Sequence, residues 1–194
     1  MGKTKNGQTY KYKRNAAITK GEHDYELTES EYYKLYSFFV TYSLCGTQSI
    51  KKRQLMDYGE TTIKELKELL LDPLGKNIVF TEENNLKELF SKLDLADGNI
   101  ISYNIERAVI GITKEQNKLL KLFYRIRNSL AHGNFLLKYS SAKEKMVVLQ
   151  DNNKDNVTAR MVLKLSTLLS FVDTVDKNSL ISRNRTNKNN ADAA

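Results

Sequence analysis

The sequence predicts a mainly α protein, an up-and-down helical bundle with a small β-hairpin before its last helix. Three observations carry that expectation. Capping sequences stand directly before apolar stripes, at Thr28 and again at Thr113. Apolar residues recur at helical spacing in successive stretches of the chain. Only one pair of short segments, 135–139 and 145–150, runs apolar or alternates at strand length, around a polar turn at 140–144. The 194 residues, 40% of them hydrophobic and 28% charged, suffice for one domain with a real core and are too few for two ordinary ones.

Residues 1–22 are polar, basic and aperiodic, which predicts a flexible arm with room for a short strand over 8–13. The first helix opens at Thr28, where Glu31 three residues on completes a capping box, and runs through Leu35, Tyr36 and Phe39 to Gly46. Its aromatic stripe suits a core or a partner interface better than base stacking. An amphipathic piece spans 50–57, and a helix over 62–71 ends at Asp72-Pro73. Thr81 caps a further helix over 82–93, with Leu86, Leu89, Phe90 and Leu93 on one face. Residues 99–112 fit either a short helix or an extended segment. The longest helix spans 114–132, between a capping box at Thr113 and Gln116 and a C′ stop at Gly133. After the hairpin and a polar loop at 151–156, a last helix is expected over 157–176, on Met161, Leu165, Leu168, Leu169 and Val172. The expected organisation is therefore an arm (1–22), a helical domain (23–177) and a disordered polar tail (178–194).

Composition excludes several classes. No apolar run approaches the roughly 20 residues that span a bilayer, and the basic N-terminus has no apolar core of a signal peptide. One cysteine, Cys45, rules out an intrachain disulfide framework and a multi-cysteine zinc site. A cytoplasmic protein without metal or cofactor is expected. Of the net charge of +8, residues 1–20 carry +6 and residues 177–194 carry +3, which leaves −1 for 21–176. Such basic ends either keep a protein soluble or steer a polyanion toward its body.

The chemistry concentrates at the end of the longest helix, in Arg125-Ile126-Arg127-Asn128-Ser129-Leu130-Ala131-His132-Gly133. Stepping 100° per residue from Leu119, the residues Leu122, Phe123, Ile126 and Leu130 fall within about 60° of it and form the core stripe. Asn128, His132 and Arg125 fall opposite, at about 180°, 220° and 240°, and Arg127 lies on the shoulder at about 80°. Histidine titrates near neutrality and serves as base or acid. Arginine stays charged and matches phosphate oxygens. Asn128 can orient either group, and Lys121, earlier on the helix, adds a cation for a polyanion. The bland alternative is that these cations simply meet the free carbonyls of a helix end.

Arg127-Asn128-Ser129-Leu130-Ala131-His132 matches the R-N-x-x-x-H form of the Arg-x(4–6)-His motif, and the chain thereby resembles the HEPN superfamily of ribonucleases and nucleotide-binding proteins. The motif closes a long helix with helices on either side, as in that superfamily, and the resemblance extends over about 28–176. It implies metal-independent RNA cleavage by the 2′-hydroxyl, leaving a 2′,3′-cyclic phosphate. His132 becomes the catalytic acid–base, Arg127 the phosphate-binding arginine and Asn128 the orienting residue. Arg125 also fits the spacing and stands second to Arg127; Lys121 joins it in binding RNA, and Gly133 caps the helix. The resemblance further implies a homodimer with a composite active site, RNA as substrate, a toxin or abortive-infection role and an antitoxin or regulatory partner. In toxins paired with a nucleotidyltransferase a tyrosine often stands two residues after the histidine. Here that residue is Asn134, a departure from the pattern on which that route of regulation rests.

Overall fold

A central sheet, not a helical bundle, organises the chain. The computed structural model describes residues 18–41, 63–69, 77–96, 100, 102–112, 117–153 and 156–175. Among these, five strands form one mixed sheet: β1 (Ile78–Thr81), β2 (Arg107–Gly111), β3 (Phe135–Tyr139), β4 (Lys145–Asn153) and β5 (Asn156–Lys164), ordered β1-β2-β5-β4-β3. The described helices are α1 (Glu29–Leu35), continued by a π-helical turn at Tyr36–Thr41; α2 (63–69); α3 (Leu86–Lys92) after a 3-10 turn; α4 (Lys118–Ala131); and α5 (165–175). The expected arm through residue 17, Cys45, the 50–57 piece, the Thr113 capping box and the tail from 176 lie outside the described residues.

The sheet corrects the expected mainly α fold at β1 and β5, and decides the open stretch before the longest helix. β1 was not anticipated by the helical reading. It pairs parallel with β2, so the chain must cross over between them, and α3 lies in that connection. Residues 107–111 of the ambiguous stretch are extended and fully buried as β2. The expected helix over 157–176 begins only at 165, because its first half is β5. Met161 fits a helical stripe in sequence, yet it sits between Ala108 of β2 and Leu149 of β4. The hairpin is present as β3–β4, with Phe135 opposite Leu149 and Tyr139 opposite Lys145.

Both faces of the sheet are covered. Leu137, Val147, Leu149, Met161, Leu163 and Ile110 join the larger core with α1, α4 and α5, while Leu136, Met146, Val148, Val162 and Val109 meet Leu86 and Phe90 of α3 on the other face. A strand buried on both faces carries a near-continuous apolar run rather than clean alternation, as Ala108-Val109-Ile110 of β2 does, whereas β5 interleaves the buried Thr158 and Arg160 with its apolar residues.

α4 lies against the sheet and the first helical segment at once. Phe123 stacks on Phe39 of the π-turn at 5.7 Å and meets Phe171 of α5 edge-on at 5.7 Å. Thr28 caps α1 as its sequence requires, with its hydroxyl accepting from Glu31 N–H and the Glu31 carboxylate accepting from Thr28 N–H at 2.8 Å. Glu31 also binds Lys145 of β4 at 2.9 Å, and Lys34 binds Asp173 of α5 at 2.6 Å. These pairs tie α1 to the layers it covers.

Candidate functional site

α4 begins at Asn117, whose side chain accepts from Leu120 N–H, and its end is built by local chemistry. His132 is the C-cap, at φ −98° and ψ 5°, and Gly133 follows at φ +66°. Asn134 N–H donates to Ser129 O at 2.8 Å and Gly133 N–H to Leu130 O at 3.2 Å, the double closure of a Schellman motif. Tyr36 adds its hydroxyl to Leu130 O at 3.3 Å, and burial, with Tyr32 beside it, raises its pKa. His132 and Gly133 are exposed, so the helix offers its imidazole to solvent from a rigid stop.

The structure divides the residues expected to share one solvent face. Arg125 and Asn128 are buried, at 6% and 8% exposure, whereas His132 is exposed. The projection assumed one buried stripe, but the sheet covers a second side of α4. The Arg125 guanidinium enters the core, where Nη1 donates to Asp151 Oδ2 at 2.6 Å and to Thr158 Oγ1 at 2.7 Å, and Nη2 donates to Gly111 O at 3.2 Å. Its Nε has no acceptor among the described residues. Arg125 is thus an internal cation here rather than one of the exposed face.

Arg127 is half-buried, and its Nη1 donates to Asn128 Oδ1 at 3.0 Å. On its other side the Asn128 amide donates to Asp151 Oδ2 at 3.5 Å. Lys121 lies over the Tyr124 ring at 5.3 Å, eleven residues before His132 and so about 16 Å away along the helix. A cavity of about 680 Å³ opens on the α3 face, beside Lys87, Phe90 and Arg160; no residue of the motif lines it.

Asp151 and Thr158 escaped the sequence reading, which placed 151–156 in a polar loop. Asp151 is 1% exposed and Thr158 1%. The available signal was an acid two positions beyond Leu149 on the face that also carries Val147. That position faces the core, where a carboxylate needs a cation.

The Arg-Asn-x-x-x-His segment thus closes a helix that lies on the sheet. Residues 6–187 match the family described as HEPN pEK499 p136, and the chain belongs to that family. Nothing among the curated proteins or the solved structures matches it. Membership makes it a nuclease-like or RNA-binding module. No helix among the described residues is long and apolar enough to cross a membrane.

Proposed function

We propose that this protein is a metal-independent endoribonuclease, acting as a toxin or abortive-infection effector. The observation that carries the reading is the exposed His132 at the rigid end of the helix that bears Arg127, in a chain of a HEPN family. His132 takes the 2′-hydroxyl proton or supplies the proton to the departing 5′-oxygen. The 2′-oxygen bonds to phosphorus, the bond to the 5′-oxygen breaks, and a 2′,3′-cyclic phosphate remains. Arg127 stabilises the charge that builds on the phosphoryl oxygens, and Asn128 holds its guanidinium. Arg125, turned inward to Asp151, supports the helix and is not the phosphate ligand in this scheme.

Arg127 and His132 are five residues apart and leave the helix about 140° from each other. A second copy, related by a two-fold axis, would set His132 of one chain against the partner's Arg127 and place two imidazoles on one phosphate, one as base and one as acid. Tyr32 and Tyr33 of α1 support such pairing: they are 52% and 69% exposed, and Tyr32 stacks at 4.3 Å on Tyr36, which bonds the end of α4. Exposed aromatics of this kind are common interface anchors.

The test is incubation of the purified protein with tRNA, mRNA and rRNA in EDTA. Wild type should cut RNA to products ending in cyclic phosphate, and folded His132→Ala should not. Salt-dependent RNA binding without turnover by the wild type would make it a binding module instead.

A further inference from the structure

The β4–β5 ladder breaks at one place, and the break faces the motif helix. Asp151 pairs with Ala159, but Asn152 pairs with Val157, so Thr158 is the extra residue of a bulge. Bulges re-aim side chains that strict alternation would send to the other face. Ala159 packs on the α4 side, and Thr158 reaches that side too. Its hydroxyl accepts from Arg125 Nη1 at 2.7 Å, and its one proton goes to Asp151, whose Oδ2 and main-chain oxygen both lie at 3.1 Å.

Asp151 Oδ2 therefore collects Arg125, Thr158 and, at 3.5 Å, the Asn128 amide. The two ends of a side-chain amide have nearly the same shape, so its orientation is set by its neighbours. An ionised carboxylate only accepts, which commits the Asn128 NH2 to Asp151 and leaves Oδ1 for Arg127, at 3.0 Å. A reversed amide would point NH2 at the guanidinium, donor against donor.

We infer that Asp151, held at the bulge by Thr158, is a positioning residue for the motif arginine: it sets the Asn128 amide, and Asn128 in turn holds the Arg127 guanidinium. This rests on reading Arg127 as the phosphate-binding group. The ion pair with Arg125 is the anchor that keeps the carboxylate in place inside the core.

Removing Asp151 alone would strand the Arg125 charge, so the test variant removes both, as Arg125→Met with Asp151→Leu, which leaves no unpaired buried charge. In the folded double variant, kcat for RNA cleavage should fall about tenfold with KM changed less than about threefold, as expected when a transition-state interaction is lost. Thr158→Val, which keeps the shape and removes the hydroxyl, should lower kcat about threefold; it carries the kinetic test if the double variant does not fold. A second readout needs no activity. In the wild-type ¹⁵N spectrum the Asn128 side-chain NH2 should exchange slowly, and in either variant it should exchange faster and move toward its free position. Variants that are folded and keep both wild-type kcat and wild-type Asn128 signals would overturn the inference. If the wild type cuts no RNA, the ribonuclease reading fails by itself, and the Asn128 resonances still decide whether Asp151 orients the amide.

Discussion

Gly133→Ala measures the stop that presents His132. Gly133 stands at φ +66°, where a Cβ meets the adjoining backbone at a cost of about 1–2 kcal/mol. A Cβ built there has no atom within 4 Å, so no clash adds to this figure. Alanine also stiffens the unfolded chain, which returns about 0.4–1 kcal/mol. The net destabilisation is thus about 1 kcal/mol, or about 2–4 °C in Tm for a chain of this size. Gly133→Asn should lose less, because asparagine enters the left-handed region more readily. Urea unfolding followed by circular dichroism, with unchanged m-value, is the assay. An alanine variant as stable as wild type would show that residue 133 is not left-handed. A loss above about 4 kcal/mol would reveal a neighbour pressing on the position.

Asp151→Ala should destabilise by about 3–5 kcal/mol, since it leaves the Arg125 guanidinium buried without its counter-charge; a neutral result in denaturant titration would refute the buried pair. Stability should also fall in acid. The Lys138 and Tyr139 N–H bonds hold the Asp24 carboxyl below its usual 3.8. Burial pushes Glu31 up, but bonds from Thr28 N–H and Lys145 outweigh it and keep Glu31 below its usual 4.5. Both contributions are present above those usual values and vanish as pH falls through the lowered folded ones. Asp24→Asn with Glu31→Gln should therefore unfold at lower urea than wild type at pH 7 and at the same urea near pH 2; equal midpoints at pH 7 would remove the linkage. Mixing His132→Ala chains with Arg127→Ala chains should restore part of the RNA cleavage that each lacks, and light scattering should report a dimer. No recovery from a mixture shown to exchange subunits would count against a shared cleft.

What the sequence determined by itself was whatever local chemistry controls. The Thr28–Glu31 box closes within one helical turn, and the Gly133 stop depends only on its own left-handed backbone and the last turn of α4. The core stripe of α4 and the β3–β4 hairpin are likewise written in consecutive residues, and the motif itself lies within six. Tertiary structure decided the rest. β5 reads as a helix because Met161 falls at helical spacing with Leu165 and Leu168 of the helix that follows, and its pairing with β2 involves residues some fifty positions away. Arg125 faces the core because the sheet, chiefly β4 with β2 beside it, covers a second side of α4, and a helical projection has no means of counting the faces that will be buried. Asp151 and Thr158 stand 26 and 33 residues from Arg125, and only the folded sheet, with its bulge, brings a carboxylate and a hydroxyl to the inner side of the motif helix.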